Sequence, residues 1–414
     1  MPSVIAPPPP TRHRPTLHRR HALTLHASIL LGLLAASSAP TPLYALYQAQ
    51  WHFSALTITV VFSAYALALL VALLVAGALS DHLGRRPVVA GALLAEAAAM
   101  AAFAVAPGVT WLIAARILQG LATGVATGAA GAALLDFDDP DRPGRAALAN
   151  SLTPVAGMAA GVLASIALVQ YAPAPTRTVY LLLMVLFTAQ AAALALTAET
   201  AQRRQGVWRS LLPGISVAPA GRPVLLMIAP SVIAAWALGG FYSSLGPSLA
   251  HLIAPHAPQA TGGLVFFALT AGATLAVGAV RRRQALTVST AGTAALLPGA
   301  LLTLGGLHLH SLPVLFTGTV LAGAGFGAVN QGALRLLLPA AAPAERAGTL
   351  AAYYCVSYLA MSGPAIMAGA LTNRYGLGTA VSLYAAAIVL LLLPALASLA
   401  LSNRRAGAHQ AGAH

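Results

Sequence analysis

The sequence predicts an all-α membrane protein in which twelve transmembrane helices form two pseudo-symmetric bundles of six, with both termini in the cytoplasm. Three observations predict this fold: the apolar composition, twelve long apolar runs, and the one-sided placement of arginine. Of the 414 residues, 58% are hydrophobic and 7% are charged, whereas about a quarter of the residues of a soluble protein are charged. This composition cannot build a water-soluble surface, but helices that satisfy their own backbone groups are stable in lipid.

The twelve apolar runs are separated by short polar links. Each run is long enough to cross about 30 Å of hydrocarbon, and the short links require successive helices to run antiparallel. The basic flank before the first run also fits a signal peptide, but the apolar segments that follow favour an uncleaved first helix. Helices 1 to 12 are predicted at residues 22–43, 55–79, 87–106, 110–135, 145–169, 177–198, 224–250, 261–280, 285–306, 312–338, 346–371 and 376–400.

The placement of arginine predicts the orientation of the chain. All 22 basic residues are Arg, and 19 of them lie in the two tails or in the links that follow even-numbered helices. The other side holds only Arg177 and Arg374, while Arg116 lies inside a helix. Because short cytoplasmic links carry an excess of positive charge, both termini are expected in the cytoplasm.

The two halves of the chain carry similar motifs at equivalent positions, and the most polar link separates them. Gly84–Arg86 follows helix 2, and Arg281–Arg283 follows helix 8 at the equivalent place. Helices 4 and 10 share a Leu-x-Gly-x-x-x-Gly pattern, beginning at Leu118 and at Leu321. The predicted organisation is a disordered basic tail at 1–21, a six-helix bundle at 22–198, a cytoplasmic linker at 199–223, a second six-helix bundle at 224–400 and a cytoplasmic tail at 401–414.

Composition excludes several classes of function. The net charge of +14 is spread between the apolar runs rather than gathered on one face, which argues against nucleic-acid binding. A chain without Lys cannot form a Walker phosphate-binding loop. The single Cys355 can form neither an internal disulfide nor a cysteine-rich metal site, and no motif supplies a nucleophile together with a base. We therefore expect no enzyme activity, no metal and no cofactor.

The link between helices 2 and 3 carries a recognisable motif. Residues 77–87 read Gly-Ala-Leu-Ser-Asp-His-Leu-Gly-Arg-Arg-Pro. This resembles the signature loop of the major facilitator superfamily, Gly-x-x-x-Asp-(Arg/Lys)-x-Gly-Arg-(Arg/Lys), with His82 in place of a basic residue. Arg85 can pair with a carboxylate at the end of helix 4; the alternative is a positive-inside anchor with no switching role. The resemblance implies a conformational latch built from Gly77, Asp81, Gly84, Arg85, Arg86 and Asp136.

Helices 3 and 4 carry charges inside the membrane. Arg116 and Gly120 are similar to the family's Arg-x-x-x-Gly motif, which implies an Arg that lines the central cavity and influences proton or anion handling. An Arg at the centre of a span costs at least about 2.5 kcal/mol, although Arg116 could also snorkel to the outer interface. Glu96 is the only acidic residue deep in a span. We expect it to be protonated or paired with Arg116, and both structural burial and proton coupling remain open interpretations.

Helices 4 and 5 carry a small residue at every fourth position, a pattern that lets neighbouring helices approach closely. Helix 5 is also similar to the family's glycine-rich antiporter motif, with Thr153–Pro154 where Gly-Pro is expected. The small residues are Gly120, Gly124 and Gly128 in helix 4, and Gly157, Gly161 and Ser165 in helix 5.

Polar side chains that could line a cavity are few, and each could instead form a helix-to-helix hydrogen bond. Their scarcity argues for a neutral or apolar solute, since a sugar site would need more amides and acids and a cation site would need a second buried carboxylate. The candidates are Tyr65, Gln119, Asn150, Trp236, Tyr242, Asn330, Gln331, Tyr354 and Tyr358.

The family resemblance implies a secondary transporter of the twelve-helix type, similar to bacterial drug-efflux members and located in the bacterial inner membrane. Such a protein would move a small neutral or hydrophobic solute by alternating access, would couple efflux to protons, and would act as a monomer in the lipid bilayer. A repeat of six helices with the site between the halves is typical of these carriers. The alternative is a transporter-like sensor or scaffold that binds a ligand without flux.

Overall fold

A computed structural model of the chain describes residues 17–139, 141, 144–201, 205–206, 208, 211 and 214–411. This part of the chain is helical and contains no strand, and twelve of its helices are long and apolar enough to cross a membrane. The predicted fold class is therefore confirmed. Helices 1 to 6 span Arg19–Ser38, Ala55–Ala76, Arg85–Ala104, Val109–Asp136, Arg145–Tyr171 and Pro175–Leu194. Helices 7 to 12 span Gly221–Ser244, Ala260–Val280, Ala285–His308, Leu312–Leu337, Arg346–Tyr375 and Leu377–Ala411.

Helices 1 and 7 end earlier than the sequence predicts, and each is followed by a short helix, Tyr44–Trp51 or Gly246–Ile253. Pro40 and Pro42 follow the end of helix 1, and Pro247 follows the end of helix 7. Proline has no backbone N–H to donate and restricts the residue before it. The two breaks occupy equivalent places in the two halves, at the end where the first and seventh spans leave the membrane.

The two bundles meet along two pairs of helices. Helix 2 packs against helix 11, and helix 5 packs against helix 8. These pairs are equivalent under the internal repeat, as a pseudo-symmetric arrangement requires. Most of the buried apolar residues form two large clusters, one within helices 1 to 6 and the other centred on helices 7 to 12 with contributions from helix 5.

The small residues of helices 4 and 5 lie at close approaches, with one exception. Gly120 and Gly124 face the backbone of helix 2, while Gly157 and Gly161 face the backbone of helix 1. Within the described part of the chain, no atom lies within 4 Å of a Cβ added to Gly128, so the expectation of close packing there is wrong. The stripe drifts around the helix, because a four-residue repeat does not match 3.6 residues per turn.

The ends of the molecule differ in charge. We call the end that carries helix 1's first turn and the links after even-numbered helices the arginine-rich end, and the other the arginine-poor end. Helix 1 begins at Arg19, so the predicted tail is three residues too long, and helix 12 continues past residue 400 to Ala411. Residues 1–16 and 412–414, together with Arg203, Arg204 and Arg209 of the predicted linker, lie outside the described residues. The cytoplasmic location of the termini stays a prediction.

Candidate functional site

The turn between helices 2 and 3 gathers charged side chains around Arg85. Its guanidinium donates to Ser80 Oγ at 2.7 Å and to the Asp81 carboxylate. Its Nε lies 3.5 Å from Asp136 Oδ2 at the end of helix 4, so the contact expected from the sequence is present. Gly84 has a φ of +103°, which favours glycine, whereas Gly77 ends helix 2 with an ordinary φ of −57°.

Glu199 completes this cluster from the segment that follows helix 6, within the linker predicted from the sequence. Its Oε1 accepts the backbone N–H of Arg85 at 2.8 Å, and its Oε2 accepts that of Arg86 at 3.2 Å. The Arg86 guanidinium donates to the Thr197 carbonyl at 3.3 Å. The first N–H groups of a helix have no intrahelical partner and carry partial positive charge, so a carboxylate there stabilises helix 3.

All of these contacts lie within the amino-terminal half. Among the described residues, no hydrogen bond or ion pair runs from Asp81, Arg85 or Asp136 to helices 7 to 12. In this conformation the candidate latch ties helices 2, 3, 4 and 6 together at the arginine-rich end.

We predict that Glu199→Ala lowers the free energy of unfolding by about 1 kcal/mol, because the cap of helix 3 is lost. Thermal unfolding of the detergent-solubilised protein measures this effect. Glu345→Ala is the matched control, since Glu345 is exposed at the same end and its side chain has no hydrogen bond among the described residues. Equal melting temperatures for the two variants would contradict the capping role.

Asp138 caps helix 5 in a similar way. Its carboxylate accepts the backbone N–H groups of Ala146 and Gly144, each at 3.0 Å. These donors hold the pKa of the Asp138 carboxyl below its ordinary value. Arg19 in the first turn of helix 1 donates to the Phe137 carbonyl at 3.3 Å. The end of helix 4 therefore fixes the starts of helices 1 and 5.

Arg116 is completely buried inside the amino-terminal half, with 0% of its surface exposed, so it does not snorkel. Its guanidinium donates to the Tyr44 hydroxyl, to the Ser37 carbonyl at 3.1 Å and to Gln119 Oε1 at 2.8 Å. The ring of Tyr65 lies 5.2 Å from its Cζ. Arg116 is not among the residues that line the central cavity.

Glu96 is also completely buried and forms no ion pair with Arg116, since no nitrogen and oxygen of the two side chains lie within 4.0 Å. The Thr123 hydroxyl donates to Glu96 Oε1. Glu96 Oε2 has no hydrogen-bond partner among the described residues. The pairing with Arg116 that the sequence offered as one alternative is thus absent from this conformation.

A central cavity lies between the two halves and is lined by residues of both. Of the nine predicted candidates, Tyr65, Trp236 and Tyr358 line it. The predicted candidates all carry a polar group, and so they leave out the apolar residues that make up most of the wall. These residues include Phe62, Leu69, Phe266, Leu269, Phe326 and Met361.

The other six candidates do not line the cavity. Asn330 Oδ1 accepts from Trp236 Nε1 and from the Tyr353 hydroxyl, both at 2.6 Å, and so orients the indole. The Tyr242 hydroxyl bonds Thr303, and Gln119 bonds Arg116. Asn150, Gln331 and Tyr354 are partly buried elsewhere in the bundles.

The two halves are joined at the arginine-poor end. The Leu56 N–H donates to Asn373 Oδ1 at 3.4 Å across helices 2 and 11. A Cβ placed on Gly263 of helix 8 would lie 2.7 Å from Ile166 Cγ1 of helix 5 and 3.1 Å from Pro42 Cγ. Among the described residues, no hydrogen bond or ion pair links the halves at the arginine-rich end. The structure is therefore closed at the arginine-poor end.

Solved structures of low sequence identity share this fold. The human organic anion transporter MFSD10 (TETRAN) is 18% identical with a TM-score of 0.67, and the alignment covers 93% of this chain and 100% of that one. The nucleoside transporter NupG is 12% identical with a TM-score of 0.67, covering 92% and 99%. A bacterial homologue of the human lysosomal transporter Spinster, inward-facing and occupied, is 12% identical with a TM-score of 0.72, covering 93% and 97%. No curated protein matches the chain.

The family model of the Major Facilitator Superfamily matches residues 27–362. The match runs from helix 1 into helix 11 and includes the turn around Arg85 and the buried Arg116. It agrees with the twelve helices, the two bundles and the cavity between them. The chain belongs to the major facilitator superfamily and is a membrane transporter.

Proposed function

We propose that this transporter moves a small, neutral and largely apolar solute across the bacterial inner membrane by alternating access. Transport runs out of the cell and is coupled to protons. The chemistry of the central cavity supports the proposal. Among the described residues, its lining contains no Asp, Glu, Lys or Arg. Several of its hydroxyls already donate to backbone carbonyls, among them those of Ser38, Ser243 and Thr270. Such a wall binds through apolar contact and aromatic stacking.

The substrates named for the structural neighbours fit this cavity less well. An organic anion would need a cation in the wall, but Arg116 lies behind Tyr65 and donates to three neutral oxygen acceptors. A nucleoside would need several free hydrogen-bonding groups, but the hydroxyls of Ser38, Ser243 and Thr270 in the wall already donate to backbone carbonyls. Burying a charge or an unpaired polar group without a partner is costly, so we expect neither class to bind well.

The closed arginine-poor end supports alternating access. With the arginine-rich end in the cytoplasm, as the positive-inside rule predicts, this conformation faces inward. The helix pairs 2 with 11 and 5 with 8 then form the seam about which the bundles rock.

Flux into proteoliposomes tests the proposal. Binding is screened first with a panel of neutral aromatic compounds, charged organic anions and nucleosides. The readout is fluorescence of Trp236 in a variant whose Trp51, Trp111 and Trp208 are replaced by Phe, because Trp236 lines the cavity. Neutral binders are then tested for flux under an imposed proton gradient. Binding without flux would instead support a sensor or scaffold, and preferential binding of anions would overturn the proposed substrate class.

We predict that Phe326→Ala raises KM about tenfold with a smaller change in kcat. Phe326 lines the cavity and packs edge-on against Trp236, with ring centroids 5.5 Å apart. In the variant a bound solute loses its contact with this ring, and an aromatic contact is worth about 1.4 kcal/mol. The matched control is Phe316→Ala on the same helix, since Phe316 packs in the core but does not line the cavity. Equal KM values for the two variants would place the binding site elsewhere.

A further inference from the structure

The turn between helices 8 and 9 gathers four arginines at the arginine-rich end. Helix 8 ends at Val280 and helix 9 begins at Ala285, so Arg281–Arg283 directly follow a membrane span. All three are exposed. Arg335 of helix 10 is also exposed, and its Nη2 donates to the Arg283 carbonyl at 2.7 Å. This hydrogen bond brings a fourth guanidinium group to the turn.

None of these four arginines forms an ion pair within the described part of the chain. The equivalent turn of the first half differs, because Arg85 pairs there with Asp81 and Asp136. At the shift of 203 residues that relates helix 4 to helix 10, Pro339 stands in the place of Asp136. The second half therefore carries an uncompensated cluster of positive charge where the first half carries a paired one.

The turn lies at the depth of the phospholipid headgroups. Helix 8 spans the 21 residues Ala260–Val280, a rise of about 31 Å, which matches the hydrocarbon thickness of about 30 Å. The arginines therefore begin where the hydrocarbon ends. Only Gln284 separates them from helix 9, so the turn is too short to project into the water beyond. The phosphate groups of the surrounding lipids lie at this level, and so a lipid is the partner that the position favours.

We propose that Arg281–Arg283 and Arg335 bind the headgroup of an anionic phospholipid, such as phosphatidylglycerol. Guanidinium groups donate two parallel N–H bonds to phosphate oxygens, and basic clusters at the ends of membrane helices attract anionic lipids. A zwitterionic headgroup also carries a cationic amine. The cluster would repel that cation, and the turn has no carboxylate to accept it. The site is thus selective for anionic lipid and lies in the second half.

Native mass spectrometry of the detergent-solubilised protein tests this site. The protein is titrated with phosphatidylglycerol or with phosphatidylcholine of the same chain length. The unaltered protein should bind phosphatidylglycerol at least about tenfold more tightly, because each arginine near the lipid adds to the attraction. Arg282→Gln/Arg283→Gln removes two guanidinium groups and keeps the backbone carbonyl that Arg335 contacts. This double variant should lose most of the preference, a change of about tenfold.

Arg20→Gln/Arg145→Gln is the matched control, since it removes the same amount of charge at the same end of the molecule. Both residues are exposed and share a cleft with Asp139 and Asp141. Because these carboxylates offset the two arginines, the control variant should keep the preference for phosphatidylglycerol.

Equal affinities of the unaltered protein for the two lipids would overturn the proposal. So would an Arg282→Gln/Arg283→Gln variant that keeps the preference, or a control variant that loses as much, since net charge alone would then explain binding. If soluble glycerol 3-phosphate bound as tightly as phosphatidylglycerol, the partner would be a free phosphate ester and the lipid site would be ruled out. These measurements involve no transported solute, so their outcome does not depend on the proposed cargo.

Discussion

Joining helix 5 to helix 8 through Ile166→Cys and Gly263→Cys is expected to abolish transport reversibly. A Cβ on Gly263 would lie 2.7 Å from Ile166 Cγ1, and a disulfide holds its two Cβ atoms about 3.5–4.5 Å apart. The two positions are therefore within bonding reach in the conformation described here. If this end must open in each cycle, the oxidised double variant should lose flux by at least about tenfold and recover it on reduction.

The design needs a background without the native thiol. Cys355 in helix 11 is the only cysteine and is replaced by Ala. Each single variant serves as a control for the loss of Ile166 or the added side chain at Gly263, and each should be insensitive to oxidant. If the fully cross-linked protein transports at the rate of the reduced protein, the contact between helices 5 and 8 does not open during the cycle.

Hydropathy and charge located the twelve spans, because each span must be long and apolar whatever its neighbours are. They did not locate the interruptions in helices 1 and 7. Apolar residues lie next to the prolines, among them Leu43 and Leu245. Composition therefore marks no boundary at either interruption. Proline alone could not have placed the breaks, because Pro154 and Pro230 lie inside continuous helices.

The candidate site was predictable where a contact lies within the motif or follows directly from it. The ion pair between Arg85 and Asp136 is of this kind, because a turn after helix 2 and the end of helix 4 lie at the same end of the bundle. Glu199 could not be found in this way. It lies 114 residues from Arg85, and its role depends on where helix 6 ends.

The central cavity was harder to predict for a physical reason. Polar side chains inside a membrane protein form hydrogen bonds with each other or with the backbone. Accordingly, Tyr242, Asn330 and Gln119 form hydrogen bonds within their own halves. The wall is left to apolar residues such as Phe266 and Phe326. These are indistinguishable in sequence from residues that face lipid.

The glycines of helices 4 and 10 should be the most sensitive positions of the fold. A Cβ on Gly120 would lie 2.9 Å from Ala68 Cβ and 3.0 Å from the Leu69 nitrogen of helix 2. A Cβ on Gly323 would lie 2.9 Å from Leu269 Cα of helix 8. Backbone cannot move aside as a flexible side chain can, so we predict that Gly120→Val and Gly323→Val each cost about 3 kcal/mol of stability.

Gly128→Val is the matched control for both variants, because it lies on helix 4 and an added Cβ meets no atom within 4 Å. The fraction of protein that stays folded in mild detergent, followed by size-exclusion chromatography, measures the three variants side by side. Gly120 and Gly323 are 203 positions apart and pack against equivalent helices of the two halves. Similar losses at both positions, with little change at Gly128, are therefore what a true structural repeat requires. If Gly128→Val lost as much stability as Gly120→Val, the cause would be the valine side chain in helix 4 itself and not the close approach of helix 2.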